Sequence, residues 1–190
     1  MNVAVQLFAA LVPLALNVAA PPLGTVVAAQ VYFRFASPLS SAPSTVSAVL
    51  VDVTGDGEEA LWFATENDYD VVILDIMGVR GFDLLNMAVH RGFPTVMLTA
   101  HALSVPDLKH SIEMGARAYI PKERMVDIVA FLEDILTLEH GSGLKRMFQR
   151  LGGFFGARFG SRWMEHEKSF WDKVSSGNYL PEPVILEKKE

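Results

Sequence analysis

Asp75 closes the apolar run Val71-Val72-Ile73-Leu74, Thr99 closes a second run, and Lys122 stands beside the end of a third. An acid, a hydroxyl and a lysine, each just past a short β-type run and separated by helical patterns, are what a phosphate-handling site at one edge of a parallel sheet needs. Taken singly, each has a plainer role: an Asp after a strand caps a loop, a Thr ends a strand, and a Lys is a solvated charge. Their joint spacing is what points to chemistry.

The elements that must position these residues can be read from periodicity. Residues 48–53 read as a strand, 57–67 as a helix with Ala60, Leu61 and Ala64 on one face, and 71–74 as a fully buried strand. Residues 82–90 are helical, with Leu84, Leu85, Ala88 and Val89 forming the apolar stripe, and 95–98 form the next strand. Ser104 with Asp107 three residues on resembles a capping box, and Gly115 supplies the stop of the helix between them. Residues 118–120 are the last strand, and 123–138 form a helix whose Met125, Ile128, Leu132 and Ile135 face inward. Alternating units of this length imply an α/β fold with a doubly wound parallel sheet.

Composition limits the alternatives. The chain has 190 residues, of which 51% are hydrophobic, enough for one core of ordinary size with length to spare. With no cysteine, disulfides, thiolate nucleophiles and sulfur-ligated metals are excluded. The five histidines show no i,i+4 pairing, so no zinc site is readable. The net charge of -6 is uneven: before residue 49 the only charged side chain is Arg34, the middle is acidic, and Lys145 to Lys173 is locally basic.

These shifts divide the chain into an apolar, low-charge extension (1–47), the regular α/β stretch (48–138), a helical aromatic and basic extension (139–180) and a solvated tail (181–190). Residues 3–20 are apolar and uncharged and end in small residues, as a membrane anchor or signal peptide does, but they lack a basic start and carry Pro13 mid-span. In the C-terminal extension a helical pattern runs through Leu144, Met147, Phe148 and Leu151, with a break expected at Gly152-Gly153. A second, aromatic stretch follows. Its basic residues, interleaved with Phe148, Phe154, Phe155, Phe159 and Trp163, would suit a membrane surface or a nucleic acid. Aromatic faces at helical spacing usually pack, and docking on the α/β unit or on a second copy of the chain, with the charges left in water, is the reading preferred.

The segments DGEEAL (56–61), YDVVILDIMG (69–78), GFDLL (81–85), TVMLTAHAL (95–103) and GARAYIPKE (115–123) together resemble the receiver domain of two-component response regulators, in order and at family spacing, over residues 49–138. The resemblance implies a flavodoxin-like receiver fold. It implies that Asp75 accepts a phosphoryl group from a histidine kinase or phosphotransfer protein, that Thr99 hydrogen-bonds the phosphoryl oxygens and that Lys122 pairs with them. A carboxylate at the open end of a parallel sheet is placed for in-line attack on phosphorus. Tyr119 falls where the family has its aromatic switch, turning inward as Thr99 is drawn to the phosphate. Mg²⁺ would be held by an acid of the first strand, by Asp75 and by the Met77 backbone carbonyl.

The sequence departs from the family at its first strand. DGEEAL normally follows the second strand, yet Val49-Leu50-Val51-Asp52-Val53 precedes it almost directly. If 48–53 is the second strand, the usual first strand and its acidic pair are missing, and the N-terminal segment, around Thr25 to Phe33, must fill the sheet's centre; this reading is favoured. If it is the first strand, Asp52 is a surviving metal acid. The loop after Asp75 is short and lacks its proline, and Glu123 follows Lys122 where proline is usual.

The function expected is a phosphoacceptor signalling module, rather than a turnover enzyme, that passes its state to an output protein in the cytoplasm. Nucleic-acid binding is not expected, because no helix-turn-helix pattern follows. Membrane contact through residues 3–20 or the basic aromatic tail is the alternative placement. The alternative function is a pseudo-receiver, an interaction module that is not phosphorylated.

Overall fold

The structure is a computed structural model, and it describes residues 30–35, 49–54, 57–66, 68–76, 81–99 and 103–181. Within them lie strands β1 (Gln30–Phe35), β2 (Val49–Thr54), β3 (Val71–Asp75), β4 (Thr95–Thr99) and β5 (Ala118–Pro121). The helices are α1 (Gly57–Glu66), α2 (Gly81–His90), α3 (Val105–Glu113), α4 (Ile128–Thr137), α5 (His140–Phe159) and α6 (Lys168–Ser176). The strands form one sheet in the order β2-β1-β3-β4-β5. β3, β4 and β5 run parallel, and every residue of these three strands is buried, as expected of strands covered on both faces by crossover helices.

The sheet is parallel only in that part. β1 runs antiparallel to both of its neighbours, with Tyr32 opposite Asp52 on one side and Val72 on the other. β2 is an edge strand, and a strand from the N-terminal stretch lies between it and the central β3, a few residues beyond the 25–33 expected. The reversal has a reading in the sequence. Residues 36–48 carry Pro38 and Pro43 and no helical pattern, whereas a parallel β1-to-β2 connection needs a crossover of a dozen or more residues, usually helical. An antiparallel return needs none.

Two other expectations are corrected. Residues 122–127 wind as a 3₁₀ helix before α4 begins at Ile128. α5 does not break at Gly152-Gly153 but runs to Phe159. The two glycines cost the helix about 1 kcal/mol each relative to alanine, while Leu151 and Phe155, both 0% exposed, anchor it on either side. The Ser104 cap is as expected: its hydroxyl accepts from the Asp107 N–H at 3.1 Å, and Gly115 ends the turn after α3 at φ +98°.

α5 and α6 complete the core. α5 lies against α4 and β5, and α6 against α5. Phe155 stacks on Phe159, and Trp163 meets Trp171 edge-on at 4.8 Å. The aromatic residues of the C-terminal stretch thus pack on the α/β unit and on one another, and two of its cations, Arg146 and Arg150, pair with Asp134 at 3.8 and 2.8 Å. Among the described residues no helix is long and apolar enough to cross a membrane; residues 3–20 lie outside them.

The α4–α5 junction is held by Arg117, which donates to the Ile135 and Leu138 carbonyls at 2.9 and 2.8 Å. Burial lowers the pKa of this guanidinium, partly offset by Glu139. His140 lies beside it. Burial first, and the Arg117 charge second, push the imidazole down to about 4 from its ordinary 6.5, against a smaller rise from an Ala116 backbone hydrogen bond. A depressed folded-state pKa means that its stabilisation is complete above pH 6.5 and is lost as the unfolded chain binds a proton between 6.5 and 4. We expect the folding stability to fall over that window by about 1 to 2 kcal/mol once the partial solvent exposure of His140 is allowed for, read as a lower thermal midpoint. His140→Gln should flatten the fall; an unchanged profile in that variant would exclude His140 as its source.

Candidate functional site

The sheet brings the three sequence-selected residues together. Asp75 ends β3 opposite Leu98, Thr99 ends β4 opposite Pro121, and Lys122 follows β5 directly. All three therefore stand at the carboxyl edge of the parallel strands, where ligands bind in open α/β sheets. Lys122 Nζ donates to Asp75 Oδ2 at 2.6 Å, with Asp75 only 1% exposed and the lysine side chain 29% exposed. The cation thus reaches in from solvent to a buried carboxylate.

Backbone packing fixes the carboxylate's position from behind. A Cβ at Gly81, the first residue of α2, would lie 2.7 Å from the Asp75 carbonyl oxygen and 2.9 Å from that of Ile76. Glycine alone lets α2 start this close to the end of β3. The sequence reading missed this contact, although GFDLL contained its signal.

Thr99 is fully buried, and among the described residues its Oγ1 finds no hydrogen-bond partner of proper geometry. Such a buried hydroxyl costs roughly 1 to 3 kcal/mol until something arrives to bond it. Tyr119 lies two residues before Pro121 on the neighbouring strand, so it and Thr99 are diagonal neighbours on one face of the sheet. Tyr119 is already fully buried. Burial pushes its phenol up to about 12, opposed by Thr99 and the Ser104 backbone and assisted by Asp107. The phenol therefore reaches toward the start of α3, in the inward position.

The acids for Mg²⁺ do not assemble among the described residues. Asp52 on β2 is level with Val72, two strands away from β3 and three residues short of Asp75, a backbone separation on the order of 14 Å by strand geometry. β1, the strand beside β3, offers no substitute, because no Asp or Glu precedes residue 49. No group of three or more His, Asp or Glu side chains among the described residues could hold a metal ion. Met77 lies outside the described residues.

An α/β sheet with an acid, a hydroxyl and a lysine gathered at its carboxyl edge defines a class, and sequence comparison agrees with it. Residues 44–133 match the family model of the response regulator receiver domain, and that stretch is a receiver domain of this family. Among similar proteins are the transcriptional regulatory protein CutR of Streptomyces coelicolor, 44% identical over 79 residues (40% of this chain and 36% of CutR), and HprR of Escherichia coli, 34% identical over 76 residues (38% and 34%). CiaR of Streptococcus pneumoniae is 37% identical over 71 residues (35% and 31%). The chain thus spans about a third of the length of the curated relatives it matches. All three are named as transcriptional regulators, which gives no support to the expectation that nucleic acid plays no part.

Proposed function

We propose that this protein receives a phosphoryl group on Asp75 from a histidine kinase or phosphotransfer protein and passes its state to an output protein in the cytoplasm. The observation that carries the reading is the 2.6 Å pair between Lys122 and the buried Asp75. In the transfer, an Asp75 carboxylate oxygen bonds to phosphorus as the bond from phosphorus to the donor's imidazole nitrogen breaks, and the leaving imidazole takes up a proton. Lys122 neutralises charge on the phosphoryl oxygens, and Thr99 Oγ1 donates to one of them, gaining a partner that the described residues do not supply. On this reading residues 48–138 with β1 are the receiving unit and 139–180 an extension of it.

One observation favours a second reading. The strand beside Asp75 carries no acid, which suits a pseudo-receiver that works by contact alone. Intact mass after incubation with acetyl phosphate, with and without Mg²⁺, separates the two. We expect a phosphate-sized gain in the natural protein and none in Asp75→Asn. The absence of any gain under conditions that label an ordinary receiver would leave the pseudo-receiver.

A further inference from the structure

α1 and α5 each turn a charged face to solvent, and the two faces are opposite in sign. α1 carries Glu58, Glu59 and Glu66 and no base. Glu58 and Glu59 precede Trp62 by four and three residues, and Glu66 follows it by four, so the four side chains share one stripe of the helix. All four are exposed. Trp62 is 57% exposed, a large apolar ring left in water among acids. α5 has no acid in its 20 residues. Its outward stripe begins with the exposed Arg146, Gln149 and Arg150 and continues at helical spacing through Gly153, Gly156 and Ala157. A single carboxylate, that of Asp134, faces both arginines, so the stripe keeps a net positive charge. Beyond the arginines it is bare. A Cβ at Gly153 or Gly156 would meet nothing within 4 Å, so the packing of the helix in this chain asks for neither glycine.

The two faces cannot meet within one chain. α1 packs on β2, and α5 packs on β5, where the Met147 thioether accepts from the Tyr119 backbone N–H at 3.1 Å. β2 and β5 are the two edges of the five-stranded sheet, on the order of 20 Å apart at ordinary strand spacing. We propose that the partner is a second copy of this chain, the acidic Trp62 face of α1 in one molecule docking on the cationic face of α5 in the next. The glutamates of α1 meet Arg146 and Arg150, and the Trp62 ring lies over Gly153 and Gly156, where the lack of side chains lets the helices come close. A tryptophan desolvated at the centre of such a contact supplies much of its energy. Because the two faces differ, the contact is heterologous and adds copies head to tail. α5 lies beyond residue 133, where the family match ends. The association therefore belongs to this chain's extension and rests neither on Asp75 nor on its phosphorylation.

Sedimentation of the full chain over a range of concentrations reads the association. The natural protein should exceed the monomer mass as its concentration rises, and added salt should weaken the effect, because the contact pairs exposed charges. Trp62→Ala combined with Glu66→Lys blocks the α1 face, and Gly153→Leu blocks the α5 face. Each should raise the dissociation constant on the order of tenfold or more. Gly153→Leu should also leave the melting midpoint unchanged or higher, since leucine is the better helix former, which separates lost docking from lost folding. Mixing the two variants tests the head-to-tail arrangement. The first keeps its α5 face and the second its α1 face, so together they should form a one-to-one pair and stop there. Association that survives both variants, or two variants that fail to pair when mixed, would overturn the proposal. So would a natural protein that stays monomeric at every concentration; salt-sensitive binding of an oligonucleotide to that monomer, lost in Arg146→Glu, would assign the cationic face to nucleic acid instead.

Discussion

Lys122→Met is expected to destabilise the protein by about 3 kcal/mol and to prevent stable phosphorylation, because it leaves the Asp75 carboxylate buried without its cation. The two halves of the pair are not equivalent. Asp75 is 1% exposed, whereas the Lys122 side chain is 29% exposed and can turn to water when its partner is lost. Asp75→Asn should therefore cost about 1 kcal/mol or less, since the amide still bonds and the lysine is hydrated. The double variant should be more stable than Lys122→Met alone, with a coupling of about 2 kcal/mol. Chemical denaturation of the four forms checks this cycle. Additive losses would mean that the 2.6 Å contact holds no net energy, and the lysine would then be a surface charge.

Trp171→Ala should cost about 3 to 5 kcal/mol, the range for truncating a large buried aromatic. Trp171 is 1% exposed and lies 4.7 Å from Phe170, 4.8 Å from Trp163 and 6.0 Å from Phe148, centroid to centroid. Its removal opens a cavity between α5 and α6 that rigid neighbours cannot refill. At roughly 2 to 4 °C per kcal/mol for a domain of this size, the melting midpoint should drop by on the order of 10 °C. Calorimetry distinguishes two origins for such a loss. A single transition shifted downward means that the C-terminal helices share the receiver's core. A receiver transition left in place would mean that they melt as a separate unit.

What could be read from the sequence follows from where each signal resides. Asp75, Thr99 and Lys122 were legible because each ends or follows a short apolar run, and strand ends at one sheet edge are fixed by local periodicity. The antiparallel course of β1 was not read, although the prolines of residues 36–48 argue against a helical crossover; its strand bounds, set within an apolar stretch of little pattern, were off by a few residues. Gly152-Gly153 looked like a break because propensity is local, whereas Leu151 and Phe155 hold the helix through tertiary contacts. Met147 was legible as one member of a helical stripe, but nothing in its spacing says that its sulfur meets the Tyr119 backbone. The backbone register of Asp52, level with Val72 rather than with Asp75, is likewise a relation between strands that local spacing does not carry.

The central claim is that the buried carboxylate paired with Lys122 is the group that takes the phosphate. Borohydride trapping after incubation with acetyl phosphate tests it most directly, because hydride reduces an aspartyl phosphate to homoserine and peptide mass then locates the residue. The account predicts homoserine at position 75, lost in Asp75→Asn. Unmodified Asp75 in a protein that has gained phosphate, or homoserine at another acid such as Asp52 or Asp56, would contradict it.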